Sequence, residues 1–263
     1  MDVVCNLLME YNSFVYDNFP QEIDSVKPYE RTFLNLGVKH CYNFKGAMLL
    51  LNELAESDYL RIPLFNILRA ITSDILTSEY LYSFLHDDLS IEQTTFHNEL
   101  TCLQKEYICS LEYTLPKEQW DESIFNNVIF TSRDKLASRK ELHSSSDKNL
   151  LTNHVLTGNM LSENKKYNHL YERKFEHNNY LINCLKLNKA FSQHYHYNVD
   201  SAEQMKHFST DDLKRIYMTL YYSMSAFIGS YKTIQKFFIE GFFEKCSSYS
   251  NTYEKLRKVY DLF

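Results

Sequence analysis

The residues best suited to chemistry are concentrated in the stretch KLNKAFSQHYHYNVD, residues 186–200. This stretch carries two histidines, His194 and His196, and a lysine, Lys189, at the end of one predicted helix. An imidazole titrates near neutral pH and can transfer protons, while a nearby cation stabilises the charge of a phosphorane-like transition state. Together these groups are suited to promoting attack of an RNA 2′-hydroxyl on its own phosphate.

The spacing within this stretch indicates which side chains share a helix face. Seven residues bring a side chain back to the same face, so Lys189 aligns with His196, whereas the five residues to His194 turn the helix by about 140°. Ser192 and Gln193 lie between them and are suited to orienting a phosphate. The alternative is that an aromatic-rich helix end packs in the core with its histidines hydrogen-bonded, and the sequence leaves both interpretations open.

A metal site is the weaker interpretation of the same histidines. On a helix, His194 and His196 are turned about 200° apart, and His207 lies eleven residues beyond His196. An HxH pair with a distant histidine is a weak zinc signal. We therefore predict no metal and no cofactor, and a metal-dependent enzyme stays a lesser alternative.

A second candidate cation, Arg69, lies in the predicted helix PLFNILRAITSDILTSEYLYSFL, which begins around Pro63. Glu79 shares the apolar line of this helix and needs a partner there. Arg69 lies ten residues from Glu79, about 15 Å along the same helix. It could therefore be the partner of Glu79 only from a neighbouring helix or protomer. A structural ion pair and a solvent-facing glutamate are the alternatives to the role we predict for Glu79, which is substrate binding.

Composition predicts an all-α fold. Only 5 Gly and 4 Pro occur in 263 residues, well below the roughly 7% and 5% of average proteins, so the turns that many strands require are missing. Apolar spacing predicts helices over residues 1–19, 28–56, from 63, 90–116, 164–197 and 211–245, followed by a short terminal helix. The 211–245 helix is predicted to be central, and its line of small residues would let a second helix approach closely: Ser223, Ala226, Ser230 and Thr233.

We predict a single helical domain over residues 1–263, with residues 131–165 as a polar insert or mobile connection. Residues 133–174 contain nine Lys and Arg against five Asp and Glu, an excess of four in a chain of net charge −6, so the remainder sums to −10. This segment either guides RNA or keeps a loop hydrated. The six cysteines form no CxxC pair, and the N-terminus has no basic region typical of a secretion signal. We therefore expect reduced thiols, a cytoplasmic location and no membrane span.

An all-helical chain with one helix reading ILRAITSDILTSEYL and a later one ending in FSQHYHYN resembles the uncharacterised bacterial members of the HEPN-like helical superfamily, over roughly residues 28–245. The resemblance implies an antiparallel helical bundle with long central helices. It also implies, for active members, a metal-independent ribonuclease whose dimer joins two motifs, each an Arg followed by four to six residues and a His. Such proteins act as toxins of toxin–antitoxin pairs or as effectors in phage defence.

This chain departs from that motif, since Lys189 stands where the arginine is expected and Ala190, not a polar residue, follows it. Lysine lacks the bidentate fork that suits phosphate. We predict that Arg69 supplies the guanidinium instead, which requires it to approach His194 or His196. The alternative is a non-catalytic helical module that binds itself or a protein partner.

Overall fold

The computed structural model describes residues 2–20, 28–54, 58–85, 162–173, 178–195 and 209–262. Within these ranges all regular structure is helical and no strand occurs, so the predicted all-α fold is confirmed. The helices are α1 (Asp2–Asp17), α2 (Pro28–Glu53), α3 (Arg61–Ser83), α4 (Glu163–Glu172), α5 (Asn178–Tyr195), α6 (Thr210–Ser230) and α7 (Phe242–Tyr260), with 3₁₀ segments at Asp58–Leu60 and Tyr231–Phe237.

The chain divides into two compact units, one of residues 1–82 with 163–263 and the other of residues 83–162. The described helices belong to the first unit, apart from the last residue of α3. The predicted single domain stays a prediction, because most of the predicted insert at 131–165 and the helix predicted over 90–116 lie outside the described residues.

Aromatic side chains fill the core where α1, α2, α6 and α7 pack together. Phe227 of α6 stacks on Tyr231 with ring centroids 4.6 Å apart. Tyr11 of α1 meets Phe44 of α2 edge to face at 5.6 Å. Since burying one such side chain contributes about 1.5–3 kcal/mol, these rings account for much of the stability of this helix group.

Helix α3 is tied to four other helices by polar contacts. These are Lys39 of α2 to Asp74, Lys166 of α4 to Thr77, Asn188 of α5 to Thr72, and Ser230 of α6 to Glu79. Helix α3 thus contacts α2, α4, α5 and α6 through side chains of residues 72–79. Of the small residues of α6, Ser223 contacts the His40 side chain of α2 and Ser230 the Glu79 side chain of α3, and the predicted close approach of a second helix stays a prediction.

The predicted helix over 211–245 is wrong beyond Ser230. Helix α6 ends there, a 3₁₀ segment continues to Phe237, and Gly241 adopts φ 76° before α7 begins. Because a 3₁₀ helix repeats every three residues, Tyr231 and Ile234 both stay buried, and the apolar spacing continues although the α-helix does not. Helix α7 is accordingly longer than the short terminal helix predicted.

The predicted helix over 164–197 is also wrong, since α4 ends at Glu172 and α5 begins at Asn178. Between Glu172 and Asn179 the sequence has one apolar residue, Phe175, so the stripe that favours a continuous helix is interrupted.

The predicted cap of α6 at Ser209 or Thr210 is confirmed at Ser209. Its hydroxyl accepts from the Asp212 backbone N–H, and the Asp212 carboxylate accepts from the Ser209 N–H. Among the described helices, none combines the length and apolarity that crossing a bilayer requires.

Candidate functional site

The helix that carries Arg69 and the helix that carries Lys189 and His194 meet at Asn188. The Asn188 side-chain amide donates to the Arg69 backbone carbonyl at 3.2 Å and to the Thr72 hydroxyl at 3.1 Å. The Thr72 hydroxyl in turn donates to the same carbonyl at 2.9 Å. Asn188 is buried, and a buried donor left unpaired costs about 1–3 kcal/mol, so these bonds favour this one arrangement of α3 against α5.

A second contact joins the same two helices. Phe191 of α5 stacks on Phe65 of α3 with ring centroids 5.4 Å apart. Three residues further along α5, the contact therefore falls on a residue four to seven positions earlier in α3 than the contacts of Asn188.

The structure places two of the predicted polar residues next to Asn188. Lys189 is exposed to solvent. Ser192 is half-buried, and its hydroxyl donates to the Asn188 backbone carbonyl at 2.7 Å, a bond within the helix. Both lie near the contact with α3, and their predicted role toward a phosphate stays a prediction.

The side chains of the candidate histidines lie outside the part of the chain that the structure describes. His194 and Gln193 belong to the last turn of α5, but their side chains lie beyond the described part of the structure, and so do His196 and His207. The predicted approach of Arg69 to an imidazole is therefore untested. His194 lies six residues past Asn188, about 9 Å along the axis of α5.

Sequence reasoning missed Arg61, which occupies the first turn of α3 and is 2% exposed. It lies four residues before Phe65, the residue of α3 that Phe191 of α5 contacts. A single sequence carries no signal for this, because the register between two helices distant in the chain depends on how their side chains interdigitate.

Arg69 is part of a charged group where α4 meets α3. Burial acts to raise the pKa of the Glu163 carboxyl, but the hydrogen bond from Ser73 and the charges of Lys166 and Arg69 outweigh it, so the pKa lies below its ordinary value. Lys166 is itself buried and donates to Thr77 at 2.9 Å. Arg69 therefore contributes to the contact between α3 and α4. A catalytic Arg69 would have to serve this contact as well.

Glu79 lies inside the bundle and is 1% exposed. Ser230 donates to its Oε1 atom at 2.8 Å. Burial raises the pKa of Glu79 to about 7, against the opposing effect of hydrogen bonds from Tyr180 and Ser230. The sequence left an ion pair or solvent exposure open for Glu79, whereas in the structure its partners are the hydroxyl groups of Ser230 and Tyr180. Its predicted substrate-binding role stays a prediction.

His40 is a second buried polar group that sequence reasoning passed over. Its Nδ1 atom lies 3.1 Å from the Ser223 hydroxyl, and burial lowers the pKa of the imidazole to about 3, which keeps it neutral. It lines a cavity of about 10 Å³ together with Asp74 and Ser78, the size of about one water molecule. The signal was present, since His40 precedes Cys41 and Phe44 of the core stripe of α2.

The thiols are held in unreactive surroundings. Cys41, Cys184 and Cys246 are buried, and all four described cysteines are free. Burial raises the pKa of Cys41 and of Cys246 to about 12, so neither forms the nucleophilic thiolate near neutral pH. Within the described ranges, no three His, Cys, Asp or Glu side chains are grouped so that they could hold a metal ion.

No protein-family model, curated protein or solved structure matches this chain in comparison.

Proposed function

We propose that this chain is an antiparallel helical bundle of the HEPN-like type that cleaves RNA phosphodiesters without a metal ion, and that it acts as a toxin-like effector in bacterial defence. The observation that supports this proposal is the contact of α3 with α5 through Arg69, Thr72 and Asn188. This contact joins α3, which carries Arg69, to α5, which carries Lys189 and His194.

In the proposed reaction, His194 or His196 takes the proton of the RNA 2′-hydroxyl as its oxygen attacks the adjacent phosphorus. The bond to the 5′-oxygen breaks, and an imidazolium returns a proton to that leaving oxygen. The products are a 2′,3′-cyclic phosphate and a 5′-hydroxyl end. Lys189 or Arg69 stabilises the charge that develops on the phosphate oxygens, while Ser192 and Gln193 hold the phosphate. A cytoplasmic homodimer would place two such sites together.

The test is cleavage of a fluorophore–quencher RNA by purified protein in excess EDTA. Wild type is expected to cleave it, and His194→Ala or His196→Ala is expected to lose at least about 100-fold in rate, the usual contribution of acid–base catalysis. Lys189→Ala should lose more than Lys186→Ala, a matched control one turn earlier and also exposed on α5. Equal cleavage by wild type and both histidine variants, or none by wild type, refutes the proposal.

The same assay identifies the arginine that acts. Arg69→Lys and Arg61→Lys both keep the charge and remove the bidentate fork. The contact of Phe191 with Phe65, one turn from Arg61, favours Arg61, and the charged group around Glu163 supplies an independent role for Arg69. A rate loss confined to Arg69→Lys, with unchanged thermal unfolding of both variants, contradicts this choice of Arg61.

A second candidate function is that of a non-catalytic helical interaction module. It is favoured by the burial of the ionisable groups His40, Glu79, Cys41 and Cys246 in structural contacts. In this case wild type leaves RNA intact in EDTA, and sedimentation at increasing concentration detects self-association or a complex. A monomer that binds no protein and cleaves RNA refutes this candidate.

A further inference from the structure

Helix α2 has an unusual outward side, which we call the outer α2 face, formed by Val38, Tyr42, Lys45 and Leu49. These residues are spaced by four, three and four, so they form one stripe along the helix. Val38 is 39% exposed, Tyr42 59% and Leu49 55%. The core stripe of α2 lies about 100° around the helix from this face, with Cys41, Phe44 and Met48 buried. An amphipathic helix ordinarily has one apolar stripe, so the second stripe requires an explanation.

A pocket of about 280 Å³ opens at the N-terminal part of this face. Its lining comes from the end of α1 and from α2: Tyr16, Phe19, Pro20, Val38, Cys41 and Tyr42. The rings of Tyr16 and Tyr42 meet edge to face at 5.9 Å and form one wall. A pocket of this size and lining accepts one bulky apolar side chain, the type of anchor that dominates binding at protein interfaces.

The exposed charges of α2 itself are mostly positive, although the exposed Asp17 of α1 follows Tyr16 of the pocket. Exposed positions of α2 carry Arg31, Lys39 and Lys45, against one exposed acid, Glu53, at its C-terminal end. Lys45 lies 5.1 Å from the centre of the Tyr16 ring. Lys39 pairs with Asp74 at 2.7 Å yet stays 53% exposed. In a chain of net charge −6 this basic rim is a local feature.

The rim charge selects among occupants. A second copy docked by two-fold symmetry would set these lysines against the same lysines, and such like-charge contacts are unfavourable. Single-stranded RNA is a poorer fit, because it binds along rows of aromatic rings on which successive bases stack. The outer α2 face has one exposed ring, Tyr42, between the aliphatic side chains of Val38 and Leu49.

From these observations we infer that the outer α2 face binds an acidic amphipathic helix of a partner protein. The partner inserts one bulky apolar residue into the pocket and places carboxylates against Lys39 and Lys45. Helix against helix is the geometry indicated, because the stripe repeats at helical spacing along α2. This site goes beyond RNA cleavage, and it provides a binding surface for the second candidate function.

The test uses a fluorescein-labelled helical peptide with Leu and Phe at positions i, i+4, i+7 and i+11 and glutamates on its flanks, followed by fluorescence anisotropy. A control peptide has lysines in place of the glutamates. The acidic peptide should bind at least about tenfold more tightly, with affinity falling as salt rises. Tyr42→Ser and Leu49→Ser should each weaken it at least about fivefold. Tyr171→Ser, which removes an equally exposed tyrosine of α4 (61% exposed), should leave it unchanged.

The inference is overturned if neither peptide binds, if both bind equally, if Tyr171→Ser weakens binding as much as Tyr42→Ser, or if single-stranded RNA displaces the peptide. Failure of this inference is distinguishable from failure of the ribonuclease proposal. Leu49 lies on α2, away from the α3–α5 contact, so the Leu49→Ser variant should cleave RNA in EDTA at the wild-type rate. The substituted side chains are exposed, and circular dichroism checks that each variant keeps its helices.

Discussion

The buried carboxyl of Glu79 makes the stability of this protein depend on pH. Burial raises its pKa from 4.5 to about 7, so the folded state holds the proton more tightly than the unfolded chain. The stabilising contribution is therefore fully present below pH 4.5, declines as pH rises from there, and is lost above about pH 7. At about 1.4 kcal/mol for each tenfold change in proton affinity, the whole effect is about 3 kcal/mol.

The groups that face Glu79 do not change charge in this range. Cys184 of α5 and Tyr231 of the 3₁₀ segment are buried and Tyr180 of α5 is half-buried, and desolvation raises the pKa of each well above its ordinary value. Ser230 supplies a neutral hydroxyl. Glu79 is therefore the group in this cluster whose ionisation between pH 5 and 8 alters stability.

The perturbation is Glu79→Gln, which keeps an oxygen to accept from Ser230 and removes the ionisation. Urea unfolding at pH 5 and pH 8 measures the difference in free energy between variant and wild type. From pH 5 to pH 8, the free energy of unfolding of the variant should rise by about 2–3 kcal/mol relative to that of wild type. With an m-value of about 3 kcal/mol/M, the urea midpoint of the variant gains up to about 1 M at pH 8.

Two controls make this test decisive. Ser230→Ala removes a hydrogen bond that stabilises the ionised form of Glu79. The free energy of unfolding of wild type should therefore exceed that of this variant by a margin that is about 1 kcal/mol larger at pH 8 than at pH 5. Glu53→Gln removes an exposed carboxylate of α2 and should stay within about 0.5 kcal/mol of wild type at both pH values. A Glu79→Gln difference that is constant from pH 5 to pH 8 refutes the reasoning.

Two further predictions concern His40 and the glycines of α2. Because burial lowers the pKa of His40 to about 3, its neutral imidazole contributes stability that is present above pH 6.5 and is lost as pH falls toward 3, opposite in sign to the contribution of Glu79. His40→Asn, which can still bond Ser223, should therefore gain stability relative to wild type from pH 7 to pH 4 in urea unfolding. A side chain at Gly37 would place its Cβ 2.6 Å from ring atoms of Phe19, so Gly37→Ala should destabilise by about 1–3 kcal/mol. At Gly46 the nearest atom is 3.4 Å away, and Gly46→Ala should stabilise by up to about 1 kcal/mol in thermal unfolding; equal effects of the two substitutions contradict the packing argument.

The sequence by itself determined the features that depend on neighbouring residues. The scarcity of Gly and Pro predicted an all-α fold, Pro28 marked the first residue of α2, and the Ser209 cap with Asp212 marked the start of α6. These signals are readable because backbone conformation and capping depend on side chains within a few positions of each other.

Tertiary structure alone decided which distant groups meet. Glu79 finds Ser230 across 151 residues, and Asn188 finds the Arg69 carbonyl across 119. The end of α6 at Ser230 was equally hidden, because the apolar spacing continues through the 3₁₀ segment to Ile234. Apolar periodicity shows which face of a helix is buried, but the partner of that face and the register between them follow from how side chains of separate helices pack.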